Sequence, residues 1–361
     1  MKLKLIILSG IFILGLIFRT VNLESNPANL TTAELELGMS LQGIVKYNAG
    51  LLRLPFAIAY SLTIPLTVFL VWKSGGKSRS LISDSGLWTG LFLAVSPWHI
   101  LLSRRAEFPW NFWEQISVRG LMERFLTYLS PEYLFLTGDK VFLLNGNGGL
   151  LLSACLLFII LSLIMATKLD NLFRFCLAVI LVGSFAASFQ PHTVNAKPLM
   201  VALLGWTMLS GWAIAKVWEI SLGLKSQLIK ILTAGMFMVL IYQVLTSIQN
   251  IFIHSQRLSQ GQWELVFRSA ADYLVDHQNN YDLIVITDKY QYPIRYLRWY
   301  SKGKIDENKI IVDKFRDTYV RPKMLYLGPV DELGYYSVKF KIMAEFGLPN
   351  GIKRVLFAGV I

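Results

Sequence analysis

The chain has 361 residues, 54% hydrophobic and 16% charged, with a formal net charge of +12. Soluble globular proteins carry about 25% charged residues, so this composition, with a mean hydropathy of +0.49, excludes an ordinary soluble domain and indicates a membrane protein. The positive charge is dispersed, with no basic run interleaved with aromatics, which argues against nucleic acid and for anionic lipids or phosphate groups as partners.

The first stretch, "MKLKLIILSGIFILGLIF", has a short basic start and an apolar run. No small-x-small cleavage site follows, so it reads as an uncleaved signal anchor. Crossing a bilayer takes roughly 20 mainly apolar residues. Segments near 4–18, 49–72, 86–103, 149–167, 172–189, 198–217 and 230–250 meet that requirement, some marginally. Lys2, Lys4, Lys73, Lys77, Arg79, Lys168, Arg174, Lys216, Lys225 and Lys230 fall in alternate connections. The positive-inside rule puts those connections, and the N-terminus, in the cytoplasm. Segments 20–48, 104–148 and 190–197 then face outward, as does everything after the last span.

The outer loop 104–148 departs from the charge rule, with Arg104, Arg105, Arg119, Arg124 and Lys140. It is either ordinary scatter or a basic lining for a phosphate head group. Beyond residue 252 the pattern changes. "WELVFRSAADYLVDH" has helical spacing, "YDLIVITD" is a short buried-strand pattern, and "YQYPIRYLRWYSK" reads as a helix. "KIIVDKF", "KMLYLGPV" and "RVLFAGVI" read as further strands of a partly parallel sheet. The predicted fold is an all-α membrane domain over residues 1–251, with about seven transmembrane helices and outer loops 20–48 and 104–148. An extracytoplasmic α/β domain follows over 252–361.

Within "NPANLTTAELELG" (26–38), Thr31 and Glu34 have the spacing of a capping box. Leu37, Leu41, Ile44 and Val45 then form a stripe that predicts an amphipathic helix on the outer membrane surface. Glu34 is explained by the cap alone; its other reading is a carboxylate that takes a proton from an acceptor hydroxyl. Arg53, in "LLRLP", is an ionisable residue in an apolar span and so a functional candidate, or else it snorkels to the interface. Pro97 should kink the third span, with Trp98 in the aromatic belt. His99, Glu107, Glu132 and Asp139 complete the outer-side candidates, each with a bland reading as a buried histidine or a solvated loop residue. Arg104, Arg105 and Glu107 together read most simply as a solvated face. Cys155 and Cys176 lie in apolar runs and the four histidines lack ligand spacing, so neither a disulfide nor a metal site is expected.

These pieces, in this order, resemble the polytopic bacterial glycosyltransferases that use lipid-phosphate-linked sugars, the C-type superfamily that includes protein O-mannosyltransferases and the aminoarabinose transferase of lipid A. The likeness lies in the first span ending at Arg19, "P-x-x-L-T-x-x-E-x-x-x-G" (Pro27 to Gly38), "LRLP", "SPWHILLSR" (Ser96 to Arg104), "YLSPEYLFLTGD" (Tyr128 to Asp139) and "YDLIVITDKYQYP" (Tyr281 to Pro293). The resemblance implies inverting transfer of a hexosyl or pentosyl group from a polyprenyl-phosphate donor, in the cytoplasmic (inner) membrane of the cell envelope, to a protein, lipid or glycan acceptor. It implies Glu34 or Glu36 as the base and Arg53, Arg104 and Arg105 as holders of the donor phosphate. It leaves room for a divalent metal, although no ligand cluster supports one, and no other cofactor is implied. The sequence departs from the family pattern in four ways, one of them "LPNG" (348–351), a turn that in the family more often reads Leu-Pro-Asp-Gly. Ala33 stands where the family keeps the first acid of an Asp-Glu pair. Only 105–127 separate two motifs that several helices usually divide. "SFQPHTVNAK" lacks the usual arginine near Asn195. The other reading is therefore a shortened, non-catalytic relative serving as a membrane scaffold or a binder of a glycan or protein partner. A solute transporter fits less well, because no paired broken helices are evident.

Overall fold

The computed structural model describes residues 2–24, 30–76, 80–81, 83–106, 118–138, 149–165, 170–190, 196–223, 226–254, 264–290, 292–319, 321–328, 340–347 and 353–360. Its helices run α1 Lys2–Thr20, α2 Thr32–Ser40, α3 Gln42–Val45, α4 Ala49–Val71, α5 Ser85–Val95, α6 Pro97–Ser103, α7 Val118–Leu129, α8 Ser153–Met165, α9 Asn171–Ser188, α10 Met200–Gly223, α11 Gln227–Gln249, α12 Glu264–His277 and α13 Pro293–Tyr300. The strands are β1 Leu283–Ile286, β2 Ile310–Val312, β3 Met324–Gly328, β4 Phe340–Gly347 and β5 Lys353–Val360. Internal contacts divide the chain into two compact units, Met1–Leu23 with Arg53–His254, and Glu24–Leu52 with Ser255–Ile361. The segment 24–52 thus groups with the C-terminal part of the chain.

The first unit marks the protein as a multi-pass membrane protein. Among the described residues five helices are long and apolar enough to cross a membrane, or six if the bent pair α5–α6 counts as one span. Each of the seven apolar segments read from the sequence contains a helix, but α8 has only 13 residues. At 1.5 Å per residue it spans roughly 20 Å, short of a ~30 Å hydrocarbon core. The expected break at Pro97 is present: α5 and α6 meet at a 56° bend, with Ser96 in an extended conformation between them. The preference of a residue before proline for extended backbone explains the position of the bend.

Helices α1 and α5 lie side by side in the same direction, and α4 runs the opposite way. At one end Lys4 forms a buried ion pair with Asp84, the N-cap residue of α5. The Asp84 carboxylate also accepts the Trp72 indole N–H at 2.6 Å and the Leu87 backbone N–H at 3.1 Å. Helix α10 is enclosed along most of its length and α11 along little of it. Small residues set the packing of α10. A Cβ on Gly183 of α9 would come within 2.5 Å of the Ala202 backbone nitrogen, and one on Gly211 would come within 2.7 Å of the Thr89 nitrogen. Close approach through glycine is the usual way for membrane helices to gain van der Waals contact. Cys155 and Cys176 are buried and unbridged.

The second unit is built on a five-stranded sheet in the order β2-β1-β3-β5-β4. β1 pairs in parallel with β2 and β3, while β5 is antiparallel to β3 and β4, so the sheet is partly parallel as expected. β1 reads Leu-Ile-Val-Ile and is buried throughout, the continuous apolar pattern of a strand covered on both faces. Helix α2 packs with α13 in this unit. The Tyr296 hydroxyl donates to the Leu30 carbonyl at 3.3 Å, Arg295 pairs with Glu36 at 2.6 Å, and Trp299 lies directly against Gly38. The surface stripe expected over 37–45 does not form. The helix breaks at Leu41, and α3 ends at Lys46 in a left-handed conformation. This turns Ile44 outward, 76% exposed, and Val45 inward, 4% exposed.

Candidate functional site

The first unit gathers its buried arginines at the end opposite the Lys4–Asp84 pair. Arg19, Arg53 and Arg104 are each at most 1% exposed, with Arg105 also buried. Arg19 sits in the last turn of α1 and donates to the carbonyls of Gly15 (2.6 Å), Leu93 (2.8 Å) and Ala94 (3.2 Å). Arg104, the C-cap of α6, donates to the carbonyls of Phe18 (2.8 Å) and Val21 (2.7 Å) and stacks over Phe252. Arg53, on the first turns of α4, donates to the Leu23 carbonyl at 3.1 Å. A helix C-terminus leaves its last carbonyls without intrahelical partners and carries partial negative charge. The end of α1 is therefore where guanidinium groups are held best. Arg104 is close enough to both Arg19 and Arg53 for the like charges to interact.

Arg19 also donates to Nδ1 of His99. Arg has no acceptor, so Nδ1 must carry the lone pair and Nε2 the proton. Nε2 lies 2.9 Å from the Thr63 hydroxyl, which itself donates to the Tyr60 carbonyl at 2.6 Å. His99 is thereby a neutral, fully engaged ring, the bland alternative foreseen for it. Its neighbour Trp98, expected in an interfacial belt, is instead 1% exposed in the core. Arg104 and Arg105 are likewise not a solvated face. Burial wins because α6 turns inward at the Pro97 bend, which brings Arg104 to the end of α1 and buries Trp98 and Arg105 as well.

The acids lie elsewhere. Glu34 belongs to the second unit and closes its predicted capping box: its carboxylate accepts the Thr31 backbone N–H at 3.0 Å, and the Thr31 hydroxyl accepts the Glu34 N–H at 3.2 Å. The side chain is fully buried. Glu36, two residues on, is half exposed and paired with Arg295. Glu132 is exposed at the start of a π-helical turn, Glu132–Thr137, in the first unit. In the same loop region Arg119 pairs with Glu123, and Arg124 donates to the Ser188 carbonyl at 2.8 Å. Glu107, Asp139, Lys140 and Asn195 lie outside the described residues. Among the described residues no cluster of metal-ligating side chains occurs.

Chemically, the cluster is a block of fixed positive charge. A guanidinium does not act as an acid or base in proteins, so the cluster can attract and orient an anion but cannot move a proton. Sequence reasoning left Arg19 out of the site residues, although an arginine closing an apolar run is a readable signal. It had no means of finding Arg295, whose partner Glu36 is 259 positions away.

No protein-family model, curated protein or solved structure matches this chain.

Proposed function

We propose that this protein is a membrane glycosyltransferase that moves a sugar from a polyprenyl-phosphate donor to an acceptor on the outer side of the cytoplasmic membrane. In this reading the N-terminus is inside and the C-terminal α/β unit outside. The observation that carries it is the gathering of Arg19, Arg53 and Arg104 at one end of the apolar helices. Charged groups at membrane depth are costly and mark functional sites by default, and guanidinium groups suit phosphate. The motif likeness around Pro27–Gly38 and Ser96–Arg104 points to the same chemistry. Glu34 is the first candidate for the base and Glu36 the second; Arg53, Arg104 and Arg105 are the candidates for the donor phosphate.

The test is transfer from radiolabelled polyprenyl-phosphate hexose to a membrane acceptor fraction, comparing wild type with Glu34→Gln. Glutamine serves at the N3 position of a capping box as glutamate does, so the helix start survives the change. The expected outcome is an unchanged thermal transition with transfer lowered roughly 10²-fold or more. Unchanged transfer removes Glu34 from the mechanism.

A second reading has its own observation. Glu34 is occupied by its own helix start, and the Arg19 and Arg104 side chains are engaged by backbone carbonyls. That arrangement favours a non-catalytic scaffold or a binder of a glycan or partner. Absence of donor binding in the same reconstitution decides for it.

A further inference from the structure

At the Lys4–Asp84 end of the first unit, away from the arginines, a cavity of about 570 Å³ opens between α5, α10 and α11. Trp88 of α5, Trp218 of α10 and Phe237 of α11 form its aromatic wall, with ring centroids 4.9 Å apart for Trp218–Phe237 and 5.5 Å for Trp88–Phe237. Its lining is almost wholly apolar apart from a few groups. Lys230 stands at its edge, one helical turn before Thr233 on the same face of α11. The Trp218 indole N–H and the Thr233 hydroxyl are buried polar atoms without a hydrogen-bond partner.

Thr233 is informative because most buried hydroxyls in the apolar helices behave differently, Ser184 of α9 being another without a partner. Ser61, Thr67, Thr89 and Thr207, all in apolar helices, donate to the carbonyl one turn back at 2.7–2.8 Å. Thr233 is 3% exposed and makes no such bond. A buried hydroxyl or indole left without an acceptor is destabilising, so two in one lining point to a ligand that supplies acceptors. Lysine, indole and hydroxyl can all donate, and the indole and ammonium can only donate. The complementary molecule presents oxygens, carries negative charge and has an apolar body.

We propose that this cavity is a binding site for one anionic glycerophospholipid. Its phosphate lies at Lys230, its glycerol ester oxygens accept from Trp218 and Thr233, and one acyl chain runs into the aromatic pocket. The order of groups matches the layering of a lipid from head to tail along α11.

The test uses the purified full-length protein and native mass spectrometry, titrating dioleoyl phosphatidylglycerol against dioleoyl phosphatidylcholine. Wild type should hold one phosphatidylglycerol roughly fivefold or more tightly than phosphatidylcholine. Lys230→Gln should abolish that preference. Thr233→Val should weaken both lipids about twofold to fivefold, and Ala234→Trp, which fills the cavity, should remove the bound lipid. Lys73→Gln, a surface lysine outside the cavity, should change nothing. Circular dichroism and gel filtration verify that each variant is folded. Equal binding of the two lipids by wild type, or an unaltered preference in folded Lys230→Gln, overturns the proposal. So does displacement of the phospholipid by equimolar oleate.

Discussion

At the scale of single residues, Arg19 is the side chain on which most depends in the first unit. Its guanidinium ties α1 to the end of α5 and to His99. Lysine offers a compact ammonium in place of a planar fork, so Arg19→Lys should lose several of these bonds together. The expected cost is about 3 kcal/mol, seen as a lower apparent Tm in detergent and measured by thermal unfolding of the purified protein. In the second unit, Asp313 follows β2 and accepts the Tyr319 hydroxyl at 2.5 Å. That bond is the main reason its carboxyl titrates below the usual range, with the Lys314 backbone N–H and Arg316 adding to it. A lowered carboxylate pKa means the tie contributes fully above the ordinary value of about 3.9 and is lost as pH falls through the lowered one. Tyr319→Phe should raise the Asp313 pKa toward that ordinary value, which a carbon-detected NMR titration of the aspartates reads directly.

At the scale of elements, the packing of α10 makes opposite predictions for two glycines. Gly211 abuts the Thr89 backbone, so Gly211→Val should separate α10 from α5 at a cost of about 1–3 kcal/mol or more. A Cβ on Gly235, in α11, would meet nothing within 4 Å. Gly235→Ala should therefore be neutral or stabilise by up to about 1 kcal/mol through helix propensity. Both follow from thermal unfolding in one detergent. The elements also show where sequence suffices. Thr31 and Glu34 are three residues apart, and their capping box is fixed by that spacing. Pro97 announces its bend for the same local reason. β4 is not among the strands read from the sequence, although Phe340, Ile342, Ala344 and Phe346 alternate with Lys341 and Glu345; its bulge between Ile342 and Ala344 lies in the pairing with β5 and leaves no mark in the sequence. The arginine cluster is invisible as a cluster: Arg104 and its carbonyl partners are 83 and 86 positions apart, and backbone carbonyls carry no residue identity to search for.

At the scale of the whole molecule, an early segment is part of a late unit. Residues 30–52 bring α2 against α13 through Tyr296, Arg295 and Trp299. A 255–361 fragment contains two tryptophans, Trp263 and Trp299. Alone, it should present Trp299 to solvent, and a synthetic 24–52 peptide should bind it. Fluorine-labelled tryptophan NMR checks this: one of two resonances should shift on titration, and a Gly38→Leu peptide should shift neither.

The way α1 is held at both ends also sets an order in time. Lys4 waits for Asp84, and the carbonyls closing α1 wait for Arg104. A ribosome adding about 5–20 residues per second needs several seconds to make that stretch. Throughout it, Asp84 and Arg104 have not yet joined the chain that α1 begins. Neither tie can form before α5 and α6 exist, so the two ends of α1 are closed only once the bent pair has been added to the chain.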